Sequence, residues 1–371
     1  MKVSFYGHTR QYHNIKDEID ANISRVLESG SYVMGPMGSE FEAQAAEYFG
    51  SKHAVGVGNG TDALWLTLMA LGIGKGDEVI TNANTFFATV EAIWIAGATA
   101  VLVDCDPVTK NIDPAKVEAA VTDKTKAIMP VHLYGQCADM PAIWDIAGKN
   151  GLKVIEDNAQ GIDGAGAGFK QGERSAAVTT SYIIQKNLGC FGDGGMVFTD
   201  DDNIDATIRK LRNHGSPARN VHSAGFNSRL DDIQAGVLSA KMKHITEWTD
   251  QRIGWARKYD EGLKDCSSIK LPTNVEGYRH VYHLYVVETQ NRDEMLKFLN
   301  DAGIDAKTHY SIAVHQQEGF PWGKDARIAG SLDNADENAA TCLSLPIYPE
   351  LTREEADYVV EKVKEWDASQ G

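Results

Sequence analysis

The spacing of hydrophobic and polar residues divides the chain into three stretches of different character. In residues 15–50, Ile19, Ile23 and Val26 recur at helical spacing and Gly35-Pro36 interrupts the pattern, which predicts two helices. From residue 53 onward, short apolar runs alternate with longer helical segments, as in βαβ units. Seven runs are predicted to be strands: Ala54–Val57, Glu78–Thr81, Ala100–Asp104, Ala127–Leu133, Lys153–Glu156, Thr179–Ile184 and Met196–Thr199.

These runs predict an α/β domain with a mostly parallel seven-stranded sheet covered by helices on both faces. A glycine-rich turn separates the last two runs, so we expect them to be antiparallel neighbours. Beyond about residue 230 the pattern becomes α+β, with a long helical segment over 231–263, a strand over 282–288 and a closing helix over 353–366. We therefore predict a large domain over residues 1–245, which includes the N-terminal helices, and a smaller α+β domain over 246–371.

The composition narrows the classes of partner. Lys and Arg number 36 against 52 Asp and Glu, which leaves a formal net charge of −16. Such a surface repels nucleic acids and anionic membranes, although local cations and a helix N-terminus can still bind one phosphate. The five cysteines form no CxxC pair, and no stretch resembles a signal peptide or a membrane span. We expect a soluble cytoplasmic protein without a metal site.

A glycine-rich turn follows the first predicted strand and precedes a helix. It contains Gly60, Thr61 and Asp62, so that backbone N–H groups, a hydroxyl and the helix dipole could together bind a phosphate. The turn lacks the third glycine of a dinucleotide fingerprint, and the chain has no P-loop, which favours a single phosphate group. A strand-to-helix turn without a ligand is the alternative.

Two further candidates follow later strands. Asp157 comes after an apolar run and would lie at the carboxyl edge of the sheet, where α/β proteins bind ligands; capping of the next turn is the alternative. Lys186 follows a run with the character of a buried strand, so its amine could be desolvated and available for Schiff-base chemistry. The alternative for Lys186 is a solvated surface charge.

Together these features match the requirements of pyridoxal phosphate (PLP). The lysine amine would bind the cofactor, the turn would hold its phosphate, and the aspartate would keep the pyridine nitrogen protonated so that the ring accepts electrons. Phe86, near the end of the second strand, could cover the face of the ring, although a single Phe more often packs in the core.

The chain resembles the fold-type I PLP aminotransferases of the DegT/DnrJ/EryC1/StrS family, which aminate keto sugars. The resemblance extends from Gly35-Pro36 to Leu345-Pro346. The matching motifs are Gly60-Thr61-Asp62-Ala63-Leu64, Thr85-Phe86-Phe87-Ala88-Thr89, Leu133-Tyr134-Gly135, Glu156-Asp157-Asn158-Ala159-Gln160, Ser181 to Lys186 with Gly192-Asp193-Gly194-Gly195, Gly225-Phe226-Asn227-Ser228-Arg229 and His309-Tyr310.

The resemblance implies a role for each matching residue. Lys186 would bind PLP and move the proton, Asp157 would pair with the pyridine nitrogen, and Gln160 would contact the ring hydroxyl. Ser181 would help the glycine-rich turn to hold the phosphate, and Phe86 would stack on the ring. The implied cofactor ligands are Gly60, Thr61, Asp62, Phe86, Asp157, Gln160, Ser181, Lys186 and Asn227.

The resemblance also implies a homodimer with two shared active sites, because Asn227 would reach the phosphate of the neighbouring subunit's cofactor. Arg229, His309 and Tyr310 would meet an anionic group of the substrate. Two segments depart from the family pattern. Residues 182–185 replace the usual Phe-Phe-Pro-Thr-like run, and residues 311–314 lack the prolines usual after His-Tyr.

The activity that the resemblance implies is transfer of the amino group of L-glutamate to a nucleotide-linked keto sugar, with release of 2-oxoglutarate. The product would serve amino-sugar and cell-surface polysaccharide biosynthesis, such as that of lipopolysaccharide O-antigen. The segments Leu133–Asp139 and Asn227–Asp231 are most similar to members that aminate 3-keto sugars. The alternatives are a 4-keto-sugar aminotransferase, a PLP-dependent sugar dehydratase and a non-catalytic regulatory protein.

Overall fold

The computed structural model describes residues 1–218, 220–319 and 325–371. Its strands, in chain order, are β1 (His53–Val57), β2 (Glu78–Asn82), β3 (Thr99–Val103), β4 (Thr125–Met129), β5 (Lys153–Asp157), β6 (Ala165–Gly166), β7 (Phe169–Lys170), β8 (Ala177–Ser181), β9 (Gly195–Thr199), β10 (Tyr285–Glu288), β11 (Ala326–Ile328) and β12 (Cys342–Leu345). Its α-helices are α1 (His8–Asn14), α2 (Lys16–Ser29), α3 (Pro36–Phe49), α4 (Gly60–Ala70), α5 (Phe87–Ile95), α6 (Pro114–Ala120), α7 (Met140–Asn150), α8 (Asp202–Leu211), α9 (Asp232–Met242), α10 (Ile245–Leu263), α11 (Arg292–Asp301), α12 (Asp333–Thr341) and α13 (Arg353–Ala368).

The main sheet has the strand order β1-β9-β8-β5-β4-β2-β3-β11. Strands β8, β5, β4, β2, β3 and β11 are parallel to one another, and β9 is antiparallel to both of its neighbours. The predicted α/β class, the mostly parallel sheet and the antiparallel β8–β9 pair are therefore confirmed.

The sheet has eight strands where the sequence predicted seven. The additional strand, β11, pairs in parallel with β3 through Ala326, Arg327 and Ile328. Three residues are too few to show an alternating pattern, and this strand comes from a part of the chain that was assigned to the smaller domain. The division into domains at residue 245 stays a prediction.

The predicted helical segment over 231–263 is two helices, which separate at residues 243–244. The two helices pack against different partners. Leu238 of α9 belongs to a core cluster with Phe41 of α3, whereas Tyr259 of α10 belongs to another cluster with Val363 of α13. A change of packing partner accounts for the break, although the sequence continues with helix-forming residues.

The helix that follows β1 is almost completely buried. Leu64, Leu66 and Leu68 of α4 are each at most 3% exposed and pack with strands of the main sheet. Burial of a Leu side chain contributes about 1.5–3 kcal/mol, so this helix is held firmly against the sheet. Its N-terminus is thereby fixed beside the carboxyl ends of β5 and β8.

No described helix is long and apolar enough to cross a membrane. No group of three or more His, Cys, Asp or Glu residues that could hold a metal ion occurs within the described ranges. All five cysteines are free thiols.

Candidate active site

A cavity of about 680 Å³ opens at the carboxyl edge of the main sheet. Parallel strands end at one edge, so the residues that follow β1, β2, β5 and β8 converge there although they are distant in sequence. Of the twelve residues predicted for the site, ten line this cavity: Gly60, Thr61, Asp62, Phe86, Asp157, Gln160, Ser181, Lys186, His309 and Tyr310.

The N-terminus of α4 forms one end of the cavity. Asn59 caps the helix, because its Oδ1 accepts a hydrogen bond from the Asp62 N–H at 2.8 Å. The N–H groups of Gly60 and Thr61 have no hydrogen-bond partner among the described residues. Unpaired N–H groups and the helix dipole favour an anion at this position.

Close packing explains the glycine in this turn. A Cβ atom at Gly60 would lie 2.6 Å from the Cβ of Ser181, so any other residue would separate α4 from the end of β8. The Ser181 hydroxyl oxygen accepts a long hydrogen bond from the Ile183 N–H at 3.4 Å, and its own hydrogen is free to face a phosphate. The predicted phosphate-binding residues are thus brought together.

Asp157 is the last residue of β5 and is 5% exposed. Its Oδ2 accepts a hydrogen bond from Thr89 Oγ1 at 2.8 Å, and its Oδ1 accepts one from the Ala159 N–H at 3.1 Å. Burial raises the pKa of Asp157, and the Thr89 hydrogen bond opposes that rise. A carboxylate held in this way can accept a hydrogen bond from a protonated ring nitrogen.

Lys186 follows β8 by five residues, in a turn where its N–H donates to the Ile183 carbonyl at 2.9 Å. Its amine makes no hydrogen bond or ion pair with any residue in the described part of the chain. Desolvation lowers the pKa of Lys186 to about 8, and the nearby Asp157 carboxylate opposes the shift. About a tenth of the amine is therefore unprotonated at pH 7, and nucleophilic attack requires this unprotonated form.

Aromatic side chains line the same cavity as Lys186 and Asp157. Phe86 is 53% exposed, which excludes ordinary core packing, and its ring centroid lies 5.4 Å from that of Tyr310. Gln160 Oε1 accepts from the Tyr134 N–H at 2.7 Å, and Gln160 Nε2 donates to Tyr310 Oη at 3.2 Å. Gln160 therefore fixes Tyr310 in the cavity.

Residues 307–310 bring the C-terminal part of the chain to the cavity. His309 Nδ1 lies 2.8 Å from Ser344 Oγ, and desolvation lowers the pKa of His309 to about 4. Lys307 also lines the cavity and is its second lysine among the described residues. His309 is therefore neutral near pH 7, and its ring can act as a hydrogen-bonding group at the cavity.

Thr89, His283 and Lys307 are among the cavity residues that sequence reasoning missed. Thr89 belongs to the motif in which only Phe86 was predicted to contact the cofactor. Its hydroxyl, within one helical turn of Phe86, was the signal that could have identified it. His283 falls in the strand predicted over 282–288 and Lys307 precedes the His309-Tyr310 motif, but neither position carries a local signal for the cavity. His283 Nδ1 lies 3.2 Å from Asn187 Oδ1, a contact between residues 96 positions apart.

Asn227 and Arg229 lie outside the cavity of their own chain. Asn227 is exposed and forms a β-bridge with Asn213, and Arg229 Nη1 donates to Asn213 Oδ1 at 3.1 Å. The structure of a single chain therefore does not bring these two predicted residues together with the other ten.

The residues present fit PLP. A helix N-terminus with two unpaired N–H groups suits the phosphate, a buried carboxylate suits the pyridine nitrogen, and a desolvated amine suits the aldehyde. Phe86 offers an exposed ring face beside them.

The chain is similar to known proteins in sequence and in structure. Residues 13–364 match the model of the DegT/DnrJ/EryC1/StrS aminotransferase family. The chain is 45% identical over 369 residues to a pleiotropic regulatory protein of Geobacillus stearothermophilus, with 99% of both chains covered. It is 42% identical over 366 residues to the dTDP-3-amino-3,4,6-trideoxy-alpha-D-glucose transaminase of Streptomyces venezuelae, covering 98% of this chain and 96% of that relative.

Among solved structures, the chain is similar to S. venezuelae DesV in complex with a ketimine intermediate. The TM-score is 0.95 at 42% identity, and the match covers 99% of this chain and 98% of the other. The predictions of the family, the aminotransferase fold and the PLP cofactor are confirmed.

Proposed function

The chain belongs to the DegT/DnrJ/EryC1/StrS aminotransferase family, and we propose that it transfers the amino group of L-glutamate to C3 of a nucleotide-linked 3-keto sugar. The observation that carries the proposal is the amine of Lys186, desolvated and without a partner in the described residues, in one cavity with Asp157 and the open N-terminus of α4. The product serves amino-sugar biosynthesis, and we propose a cytoplasmic enzyme that supplies a cell-surface polysaccharide such as O-antigen.

When bound, PLP supplies an aldehyde that condenses with amines and a ring that accepts electrons from the substrate. The Gly60 and Thr61 N–H groups would bind its phosphate, and the Asp157 carboxylate would accept a hydrogen bond from its protonated ring nitrogen. Lys186 Nζ would hold the cofactor and carry the proton to and from the substrate carbon. Phe86 would cover one face of the ring.

The choice of C3 is supported by the S. venezuelae relative, whose name specifies a 3-amino sugar. Purified protein should show the visible absorbance of bound cofactor, and L-glutamate should bleach it with release of 2-oxoglutarate. A panel of 3-keto and 4-keto nucleotide sugars then tests the acceptor. Faster recovery of the cofactor absorbance with 4-keto sugars than with 3-keto sugars would contradict amination at C3.

The rival functions give different outcomes in the same assay. A dehydratase of this family resembles the aminotransferases but has histidine in place of the lysine, and position 186 here is Lys. The relative named as a regulatory protein raises a non-catalytic role. Lys186→Ala and Lys186→Arg should both abolish amine transfer, and full turnover in either variant would contradict the role assigned to Lys186. Absence of amine transfer in the wild-type protein with bound cofactor would favour the non-catalytic role.

We further propose a homodimer in which Asn227 and Arg229 of one chain complete the site of the other. Both lie outside their own cavity, and exposed apolar side chains, including Phe86 and Ile95, line that cavity. An acidic chain also needs local cations for an anionic substrate, and Arg229 supplies one.

Mixing inactive variants tests this sharing. Lys186→Ala and Asn227→Ala proteins, each of low activity, should regain up to about a quarter of wild-type activity after subunit exchange, because half of the dimers then contain one intact site. The control mixes Lys186→Ala with Asp157→Ala, which damage the same site and should show no recovery. Recovery in neither mixture would contradict the shared site.

A further inference from the structure

Two threonines form a buried hydrogen-bonded chain that ends at Asp157. Thr85 Oγ1 lies 2.9 Å from Thr89 Oγ1, and Thr89 Oγ1 donates to Asp157 Oδ2 at 2.8 Å. Thr89 is 1% exposed and Thr85 is 3% exposed, so bulk water does not compete for these bonds. These two hydrogen bonds therefore act on the Asp157 carboxylate at close to their full strength.

When Asp157 is ionised, the donor and acceptor roles of the two threonine hydroxyls are fixed. A hydroxyl has one hydrogen, and Thr89 gives its hydrogen to Asp157, so Thr89 must accept from Thr85. The other carboxylate oxygen accepts from the Ala159 N–H at 3.1 Å. Both oxygens thus accept one hydrogen bond, which favours the ionised carboxylate and leaves lone pairs for a ligand.

We propose that Thr89 is the positioning residue of the site, which holds Asp157 in one orientation and keeps it ionised toward the pyridine nitrogen of the cofactor. The proposal rests on the proposed function only in that PLP is the bound cofactor. It assigns to Thr89 a part in the reaction without contact to the reacting atoms.

Local structure explains why Thr89 can do this. Phe86 is extended and α5 begins at Phe87, so Thr89 lies in the first turn of the helix, where its N–H donates to the Phe86 carbonyl at 3.2 Å. Phe86 is exposed to the cavity while Thr89 is buried behind it. One short segment therefore supplies both the ring-facing aromatic and the hydroxyl that holds Asp157.

The electrostatic surroundings of Asp157 leave Thr89 as its one hydroxyl donor among the described residues. Lys186, on the turn after β8, and His132, beside the end of β4, act on the carboxylate through their charge, and Tyr310 lies near it. Burial raises the pKa of Asp157. The Ala159 N–H belongs to the backbone and survives any side-chain substitution, so Thr89 is the contact that mutation can remove.

The test compares Thr89→Val, which keeps the shape but loses the hydroxyl, with Thr89→Ser, which keeps it. Without the Thr89 hydrogen bond the pKa of Asp157 rises, so the acidic limb of the kcat profile and the pH transition of the cofactor spectrum should move to higher pH. We expect a shift of about one pH unit, a tenfold change in the ionisation equilibrium. Thr89→Ser should restore the wild-type profile, and KM for L-glutamate should not change.

Thr85→Val is the second variant, because it removes the donor to Thr89 without touching Asp157. It should shift the spectral transition in the same direction by a smaller amount, and it keeps the proposal testable if Thr89→Val does not fold. Wild-type pH profiles in every folded variant would overturn the proposal. So would a loss of bound cofactor in Thr89→Val with no movement of the pH transition. Failure of the wild-type protein to bind PLP would instead refute the proposed function.

Discussion

Two regions of the molecule each contain a lysine whose pKa is lowered to about 8 by burial, and only one of them is the proposed active site. Lys186 lines the large cavity, and its amine has no partner in the described residues. Lys241, on α9, is 1% exposed, donates to the Gly189 carbonyl at 2.7 Å and lies 4.8 Å from the Phe191 ring centroid.

The comparison shows that a desolvated lysine is not necessarily a reactive one. Burial alone brings both amines into the same range of pKa, so a low pKa does not identify a catalytic lysine. Lys241 donates to the buried Gly189 carbonyl and is 1% exposed, so its amine is enclosed by protein. Lys186 combines the same low pKa with an open cavity and the facing carboxylate of Asp157.

The two regions are also connected. Gly189 and Phe191 belong to the loop that carries Lys186 back toward β9, so Lys241 stabilises that loop from behind. We therefore regard Lys241 as structural support and Lys186 as the reactive group, and substitutions at the two positions should have different consequences.

The largest expected difference concerns amine transfer. Lys186→Ala should lower the rate by at least about 10²–10⁴-fold, the range attributed to positioned proton transfer, and should prevent covalent capture of PLP. Lys241→Met should retain capture and most of the activity. Borohydride reduction followed by mass measurement of the protein checks this, and label on Lys241→Met but not on Lys186→Ala is the expected pattern. An equal loss of amine transfer in both variants would contradict the distinction between a reactive Lys186 and a structural Lys241.

How well the sequence predicted these regions depends on how local the signals are. The cofactor ligands follow strands directly, so Thr61, Asp157 and Lys186 could be identified from strand-to-turn transitions, and the sheet then brings them together. Lys241 gave no signal, because its partner Gly189 is 52 residues away and the pairing depends on how α9 packs. His283 and β11 were missed for the same reason.

The resemblance to a family placed Asn227 and Arg229 in the site, and the single chain leaves them outside its cavity. No pattern of apolar and polar residues within one chain encodes which surface meets a second copy. The exposed positions of Asn227 and Phe226 record only that this region is available for contact.

The next largest effect is the pH dependence of PLP capture. Only the unprotonated amine attacks the aldehyde, so the capture rate should rise with pH and level off above a midpoint near 8, the pKa of Lys186. Below that midpoint the rate should fall about tenfold per pH unit, as the unprotonated fraction does. Stopped-flow absorbance of cofactor-free protein checks this. Lys241→Met should leave the midpoint in place, and a midpoint near 10 in the wild type would contradict the desolvation of Lys186.

Stability should respond to both lysines over the same pH range. Each lysine has a folded-state pKa of about 8 against an ordinary value of 10.5, so between these pH values the unfolded chain binds a proton that the folded chain does not. The free energy of unfolding therefore rises with pH in this window, by up to about 3 kcal/mol for each lysine.

Denaturant unfolding of cofactor-free protein at pH 8 and pH 10, at one protein concentration, measures this rise. Lys241→Met should lose the share that belongs to Lys241 and keep that of Lys186, and Lys186→Ala should do the reverse. A rise of wild-type size in Lys241→Met would show that the amine of Lys241 is not desolvated as the structure indicates.

The smallest effect concerns the aromatic ring beside Lys241. Replacing Phe191 with Leu keeps an apolar side chain but removes the ring face 4.8 Å from the amine, which should cost about 0.5–2 kcal/mol of stability. A double-mutant cycle with Lys241→Met isolates the contact, since the Phe191→Leu change should matter less once the charge is gone. Coupling near zero would leave the Gly189 carbonyl as the one partner of Lys241 in the described residues. In its own partners, Lys241 would then differ from Lys186 only by its hydrogen bond to Gly189, and the Phe191 ring would make no contribution.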